Sequence, residues 1–264
     1  MVIGIYDSGV GGLSVWRELR RYTNARLLYF GDTCHVPYGE KSPEQLETYF
    51  WEIVGFFQTQ GCQSVVVACN TSSALVLPRV RDRVGIPVFG IIESAVQAAV
   101  AVSGGRVGVL ATRGTAESGV YQTMFRTIYP QGQVFVQSAP RLVPLIEAGQ
   151  ITAQVTRDAL KEYLAPLVGR GVDTLVLGCT HYPFLQELLV DLLGPDVRIV
   201  DPAPSLALHV TEELPLEPAE MGPRGAGTGF WVSGDPTTFQ ETAERLLQEK
   251  LPTVQCHPMS GERA

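Results

Sequence analysis

Lysine is scarce in this chain: Lys41, Lys161 and Lys250 are three among twenty basic residues. A pyridoxal enzyme needs a lysine for its Schiff base, and only Lys41 falls near a loop with site-like chemistry, so no cofactor of that class is expected. Cysteine occurs at five positions, 34, 62, 69, 179 and 256, with no CxxC pair. An odd number without such spacing fits neither a disulfide framework nor a zinc ribbon. Cys34 adjoins His35, yet no third ligand stands at zinc spacing nearby, and no metal is expected. An excess of positive charge is also absent. A net charge of −7 and a pI near 5.2 leave no basic patch for nucleic acid or acidic membranes, whereas a small anion needs only local potential. No apolar run reaches membrane-spanning length, and the N-terminus enters a strand without the basic and apolar regions of a signal peptide. A cytoplasmic protein with no membrane or nucleic-acid partner is expected. The turn Gly9-Val10-Gly11-Gly12 lacks the GxGxxG spacing of a dinucleotide site.

What the chain does have is a pair of similar strand-to-turn junctions. Ser64-Val65-Val66-Val67-Ala68-Cys69-Asn70-Thr71 reads as a strand covered on both faces that ends in a thiol, an amide and a hydroxyl, followed by a helix. Asp173-Thr174-Leu175-Val176-Leu177-Gly178-Cys179-Thr180-His181 repeats the design. Open α/β sheets bind ligands beyond the carboxyl ends of their strands, where helix N-termini offer N–H donors. That potential is expected to lower a thiol's pKa and favour the thiolate. A single such cysteine is most often a small buried hydrophobe. Two in matching turns, flanked by Asn, Thr, Thr and His, point to chemistry instead.

In chain order, a strand over Val2–Tyr6 runs through Asp7, Ser8 and the glycine turn into a helix over Leu13–Arg21. A strand at Arg26–Phe30 and a long polar loop precede a helix over Pro43–Thr59, with Ser42 as its cap. The helix after Cys69 is read to about Val84, followed by a strand at Val88–Ile91 and a helix from Glu93 to Val102. The pattern then restarts, because Arg106–Thr112 echoes Val2–Ser8, with Gly108 over Gly4 and Ala111 over Asp7. An internal duplication follows from this echo. The second half reads as a helix over Thr115–Arg126, a strand at Gln133–Gln137, a loop or short helix carrying Glu147, and a helix over Thr152–Val168. After Cys179 come a helix over Phe184–Leu193, a strand at Val197–Val200 and a helix from Ala203. Residues 213–228 read as a surface loop rich in Pro, Gly and Glu. A strand over Thr228–Ser233 and a helix over Pro236–Lys250 are left over, and they are expected to return to the first half. The fold class is therefore α/β: two similar, pseudo-symmetric domains with largely parallel sheets and a site in the cleft between them. Residues 1–97 with about 210–264 form the first domain and 98–209 the second.

Two thiols facing a shared ligand suit the movement of a proton between the faces of a carbon. A carbon acid beside a carboxylate is very weak, so its ionisation needs a placed base, anion stabilisation and an acid opposite. One of Cys69 and Cys179 would take the proton as thiolate while the other gives one as thiol. Asp7 and Glu147 or His181 are placed to tune them, and Ser8, Asn70, Thr71 and Thr180 to hold an amino acid's polar groups.

DSGVGGLSV, GDTCHVPYGEKS, ACNTSSA, PLIEAG and GCTHYPFL, in this order over nearly the whole chain, resemble the glutamate racemases of the aspartate/glutamate racemase superfamily. The CNT turn and GCTHYP are the specific parts. The resemblance implies two α/β domains, no cofactor, glutamate as small-molecule substrate, and D-glutamate production for peptidoglycan and hence cell shape. It makes Cys69 and Cys179 the acid/base pair, assisted by Asp7, Glu147 and His181. Asp7, Ser8, Tyr38, Gly39, Asn70, Thr71, Thr180 and His181 become substrate contacts. Ala139 departs from the family, in which many members carry cysteine there. Aspartate racemase is the rival within the superfamily; a ligand-binding or thiol redox-sensing module is the rival outside it. Oligomeric state is not written in the sequence, and a homodimer is allowed.

Overall fold

Valine-rich runs with no polar alternation need cover on both faces, and parallel strands flanked by helices supply it. A computed structural model describes residues 1–216 and 227–259. β1 (Val2–Asp7), α1 (Leu13–Leu19), β2 (Arg26–Gly31), α2 (Pro43–Thr59), β3 (Ser64–Val67), the short helices α3 (Asn70–Leu75) and α4 (Leu77–Val80), β4 (Val88–Gly90) and α5 (Ile91–Val102) form the first run. The second run is β5 (Arg106–Ala111), α6 (Arg113–Glu117), α7 (Val120–Ile128), β6 (Gln133–Ser138), α8 (Leu142–Glu147), α9 (Gln154–Val168), β7 (Thr174–Gly178), α10 (Gln186–Leu193), β8 (Arg198–Val200) and α11 (Ala203–Glu213). β9 (Gly229–Val232), α12 (Pro236–Leu247) and β10 (Val254–Cys256) end the described chain.

Among the described residues all strand pairings are parallel, in a six-stranded sheet of order β10-β9-β2-β1-β3-β4 and a four-stranded sheet of order β6-β5-β7-β8. The order β2-β1-β3-β4 in the first sheet is the order β6-β5-β7-β8 in the second. Gly4 and Gly108, superposed by the sequence echo, do the same work in each. A methyl carbon on Gly4 would stand 2.6 Å from the Phe57 ring of α2, and one on Gly108 would stand 3.3 Å from Leu167 of α9. Each glycine lets one helix lie close on its sheet. The chain crosses between sheets through α5 and returns after α11; these two helices pack together, and α11 also packs on α1. No described helix is long and apolar enough to cross a membrane.

The helices differ from their sequence reading where glycine and proline intervene. The helix expected from Cys69 to Val84 breaks at Val76, because Pro78 cannot donate a backbone hydrogen bond and instead opens α4. The helix expected over Thr115–Arg126 breaks at Gly119, whose φ of +68° is costly for any other residue. A 3₁₀ turn over Tyr182–Leu185 precedes α10. β10, three residues between two prolines, has too little pattern to be read from sequence. Of the surface loop expected over 213–228, residues 217–226 lie outside the described residues.

Candidate active site

The carboxyl ends of β1, β3 and β7 meet over one cavity. From the first sheet come Ser8 after β1, Pro37, Tyr38 and Gly39 after β2, and Cys69, Asn70 and Thr71 after β3. From the second come Thr112 after β5, Val143 of α8, and Cys179, Thr180 and His181 after β7. Both cysteines are 5 % exposed. About 10 Å³ of the cavity is open to the centre of a water molecule, which is room for roughly one water. An amino acid does not fit in the cavity as it stands.

Asp7 and Glu147 stand behind this wall. Asp7 is fully buried; one carboxylate oxygen accepts the Gly9 N–H at 3.1 Å and the other accepts the Thr180 hydroxyl at 2.9 Å. Glu147 Oε1 accepts the Val10 N–H at 3.2 Å and lies 2.6 Å from His181 Nε2. His181 Nδ1 lies 3.7 Å from the Cys179 sulfur. Carboxylate, imidazole and thiol therefore form one chain of contacts, with the imidazole oriented from both sides.

The glycine turn makes room for this chain. A methyl carbon on Gly9 would fall 2.2 Å from Glu147 Oε1, and one on Gly11 would fall 2.5 Å from both His181 Nδ1 and Thr180 Oγ1. On Gly12 it would meet the Asp7 side chain at 2.4 Å. Gly9 and Gly11 admit side chains of the second half where a dinucleotide site would admit a pyrophosphate, and Gly12 leaves room for Asp7.

Burial dominates the electrostatics. Burial raises the pKa of Asp7, against the opposing influence of His181 and the donors from Gly9, Thr180 and Gly12. Burial works against a charged His181, but hydrogen bonds and charge from Cys179 and Glu147 prevail and hold its pKa well above the ordinary value. Burial, then the nearby charge of Asp7, pushes the Cys69 thiol up to about 12. The expectation that a helix N-terminus lowers the thiol's pKa is therefore reversed at Cys69: α3 has only six residues, and the field of one short helix is outweighed by desolvation.

This shift gives the fold an alkaline limit. The Cys69 thiol keeps its proton to about 12 when folded but loses it near ~8.5 when unfolded. The associated stability is complete below that lower value and is lost as pH rises through the upper one. The slope contributed is about 1.4 kcal/mol per pH unit. Urea denaturation between pH 9 and 11 should show a loss of stability with pH that becomes shallower by about this amount in Cys69→Ala; an unchanged slope would mean that the thiol ionises freely in the folded chain.

Around the cavity, Asp32 is a buried hub. It accepts hydrogen bonds from the Tyr38 hydroxyl at 2.5 Å and the Ser233 hydroxyl at 2.7 Å, and His35 Nδ1 lies 2.9 Å away. Tyr38 is thereby fixed against the cavity. Thr71 meets Thr112 at 2.9 Å and Thr115 at 3.3 Å across the two sheets. The Tyr121 hydroxyl donates to Asn70 Oδ1 at 2.8 Å, while Asn70 Nδ2 is buried with no partner among the described residues. The exposed Glu40 and Arg113 pair at 2.9 Å above the same junction.

All the candidate site residues named from sequence thus stand on or directly behind one cavity. Pro37, Thr112 and Val143 were not among them, nor were Asp32 and Tyr121. Thr112 had a usable signal, since the echo that aligns Ala111 with Asp7 aligns Thr112 with Ser8.

Comparison with known proteins places this arrangement. Residues 3–210 match the family model described as Asp/Glu/Hydantoin racemase. A glutamate racemase of Desulforudis audaxviator is 48 % identical over 254 residues, covering 93 % of each chain. The crystal structure of a glutamate racemase isoform from Bacillus anthracis superposes with a TM-score of 0.89 at 32 % identity, covering 98 % of this chain and 97 % of that one. That of the Francisella tularensis glutamate racemase in complex with D-glutamate superposes with a TM-score of 0.87 at 28 % identity, covering 99 % and 98 %.

Proposed function

Since the chain belongs to the Asp/Glu/hydantoin racemase family, we propose how its cavity performs the reaction that goes with glutamate racemase relatives: it interconverts L- and D-glutamate, supplying D-glutamate for peptidoglycan. The observation that carries the mechanism is that Cys69 and Cys179, from two different sheets, line one cavity that admits almost no water. Cys179, with the His181 imidazole beside its sulfur, takes the α-proton of L-glutamate as thiolate. Cys69, which holds its proton tightly, delivers it as thiol to the opposite face, giving D-glutamate. The reverse reaction exchanges the roles.

Of the lining residues only His181 can carry positive charge, so the substrate carboxylates are held by neutral donors. Ser8, Thr71 and Thr180 hydroxyls, the Asn70 amide, and the Tyr38–Gly39 segment serve this purpose, and the partnerless Asn70 Nδ2 awaits an acceptor. Asp7, Glu147 and His181 tune the thiols. Low polarity strengthens each of these contacts while the site is closed. Residues 1–97 with about 210–264 act as one domain and 98–209 as the other. The cytoplasm is its place of work in this reading, and sedimentation tests whether the chain assembles as a homodimer.

The direct test is polarimetry of L-glutamate with purified protein and no added cofactor. Rotation should decay to zero as D-glutamate accumulates. Activity that disappeared on treatment with a carbonyl-trapping amine would refute the thiol mechanism.

Because the closed cavity holds about one water, each turnover needs opening and reclosure. Amide hydrogen exchange around residues 32–42 should slow when glutamate is bound. Equal exchange with and without substrate would contradict a closing cleft.

A further inference from the structure

Tyr29, on β2, is fully buried, with its ring against Phe230 and Phe239. Its hydroxyl donates to the carbonyl of Gly9 at 2.6 Å. That carbonyl belongs to the same peptide unit as the Val10 N–H, which donates to Glu147 Oε1 at 3.2 Å. From Glu147 the contacts continue through His181 to the Cys179 sulfur.

We infer that Tyr29 is a positioning residue for the Cys179 arm alone, acting through the Gly9–Val10 peptide on Glu147, an assignment that rests on Cys179 being one of the two bases. A peptide group is planar, so anchoring its C=O fixes the direction of its N–H. Glycine flanks this peptide and, lacking a Cβ, sets few limits of its own on the orientation of the plane. A hydrogen bond accepted at the carbonyl also polarises the N–H at the other end, strengthening its donation. Glu147 is thus held where its oxygen meets Nε2 of His181, and the ring is held where Nδ1 meets the sulfur. The Cys69 arm does not pass through this peptide. Asp7, whose charge helps to raise the Cys69 thiol, accepts the N–H groups of Gly9, in the preceding peptide unit, and of Gly12. The Tyr29 hydroxyl shares that of Gly12, and its removal leaves Asp7 both donors.

A tyrosine that merely fills the core predicts something else: lost stability with no preference between the two thiols. Racemisation cannot separate these cases, because its equilibrium ties the forward and reverse rates together. Elimination from glutamate analogues bearing a leaving group beside the α-carbon can, since removal of the α-proton and departure of the leaving group need only one base. Tyr29→Phe keeps the ring and its packing. On the enantiomer served by Cys179, kcat should fall about fivefold, the weight of one ordinary hydrogen bond, with KM within twofold. On the enantiomer served by Cys69, both constants should stay within twofold. In a Glu147→Gln background the added Tyr29→Phe change should cost nothing further on the Cys179 hand. Equal losses on both hands, no loss on either, or a full additional loss in the Glu147→Gln background would overturn the assignment. Cys179→Ser, measured alongside, should abolish that hand; if it does not, the two-thiol reading itself fails, whatever Tyr29 does.

Discussion

Replacing either Cys69 or Cys179 by serine should lower racemisation by a factor of ~10³ or more. A serine hydroxyl is far less acidic than a thiol, so it is a poorer proton donor and is even more rarely available as the anion, and general acid–base groups contribute ~10²–10⁴-fold. Both thiols are needed for racemisation, because one must take a proton as the other gives one. Elimination from an analogue with a leaving group needs a single base. Each single variant should therefore still process one enantiomer and fail on the other, and the two variants should be complementary. Cys69→Ser should retain the L-analogue and Cys179→Ser the D-analogue. Loss of the same hand in both, or near-normal racemisation in either, would end the two-thiol mechanism.

Gly11→Ala should abolish most activity although it adds one carbon. That carbon would stand 2.5 Å from both Thr180 Oγ1 and His181 Nδ1, closer than van der Waals contact permits. Either the two sheets part slightly or the imidazole swings away from Cys179. A misplacement of about 1 Å costs ~10²-fold, and kcat should carry most of it. Gly55, inside α2, is the control: a methyl carbon there meets nothing within 4 Å. Gly55→Ala should leave kcat unchanged and stabilise the fold by about 0.5–1 kcal/mol, as expected for glycine in a helix interior. If Gly11→Ala behaved like Gly55→Ala under steady-state assay and thermal unfolding, the tight junction at the turn would not matter to catalysis.

The strand cores and the two thiol turns were readable because their signals are local: runs of Val and Leu ending in Cys, Thr and His. Glu147 was named as a candidate and carried by the PLIEAG motif, but nothing in its neighbourhood shows that its carboxylate reaches His181. Asp32, Tyr29 and Tyr121 were not readable as parts of the site. Their contacts join segments separated by up to 201 residues, as between Asp32 and Ser233, and which loops meet is decided by the fold. The state of Cys69 was misread for a related reason. A strand-to-helix turn shows in sequence, but the depth of burial that sets the thiol's proton affinity does not.

The chain passes between the two sheets twice, through α5 and after α11, and these helices lie side by side. A single connection would leave the halves free to swivel as well as to open. α11 packs on α5 and also on α1 of the first sheet, so a seam of packed helices joins the halves as well as the chain itself, and that seam resists the swivel. The lateral register of the two sulfurs is then kept by helix packing rather than found anew at each closure. Substrate has only to supply contact energy for closing.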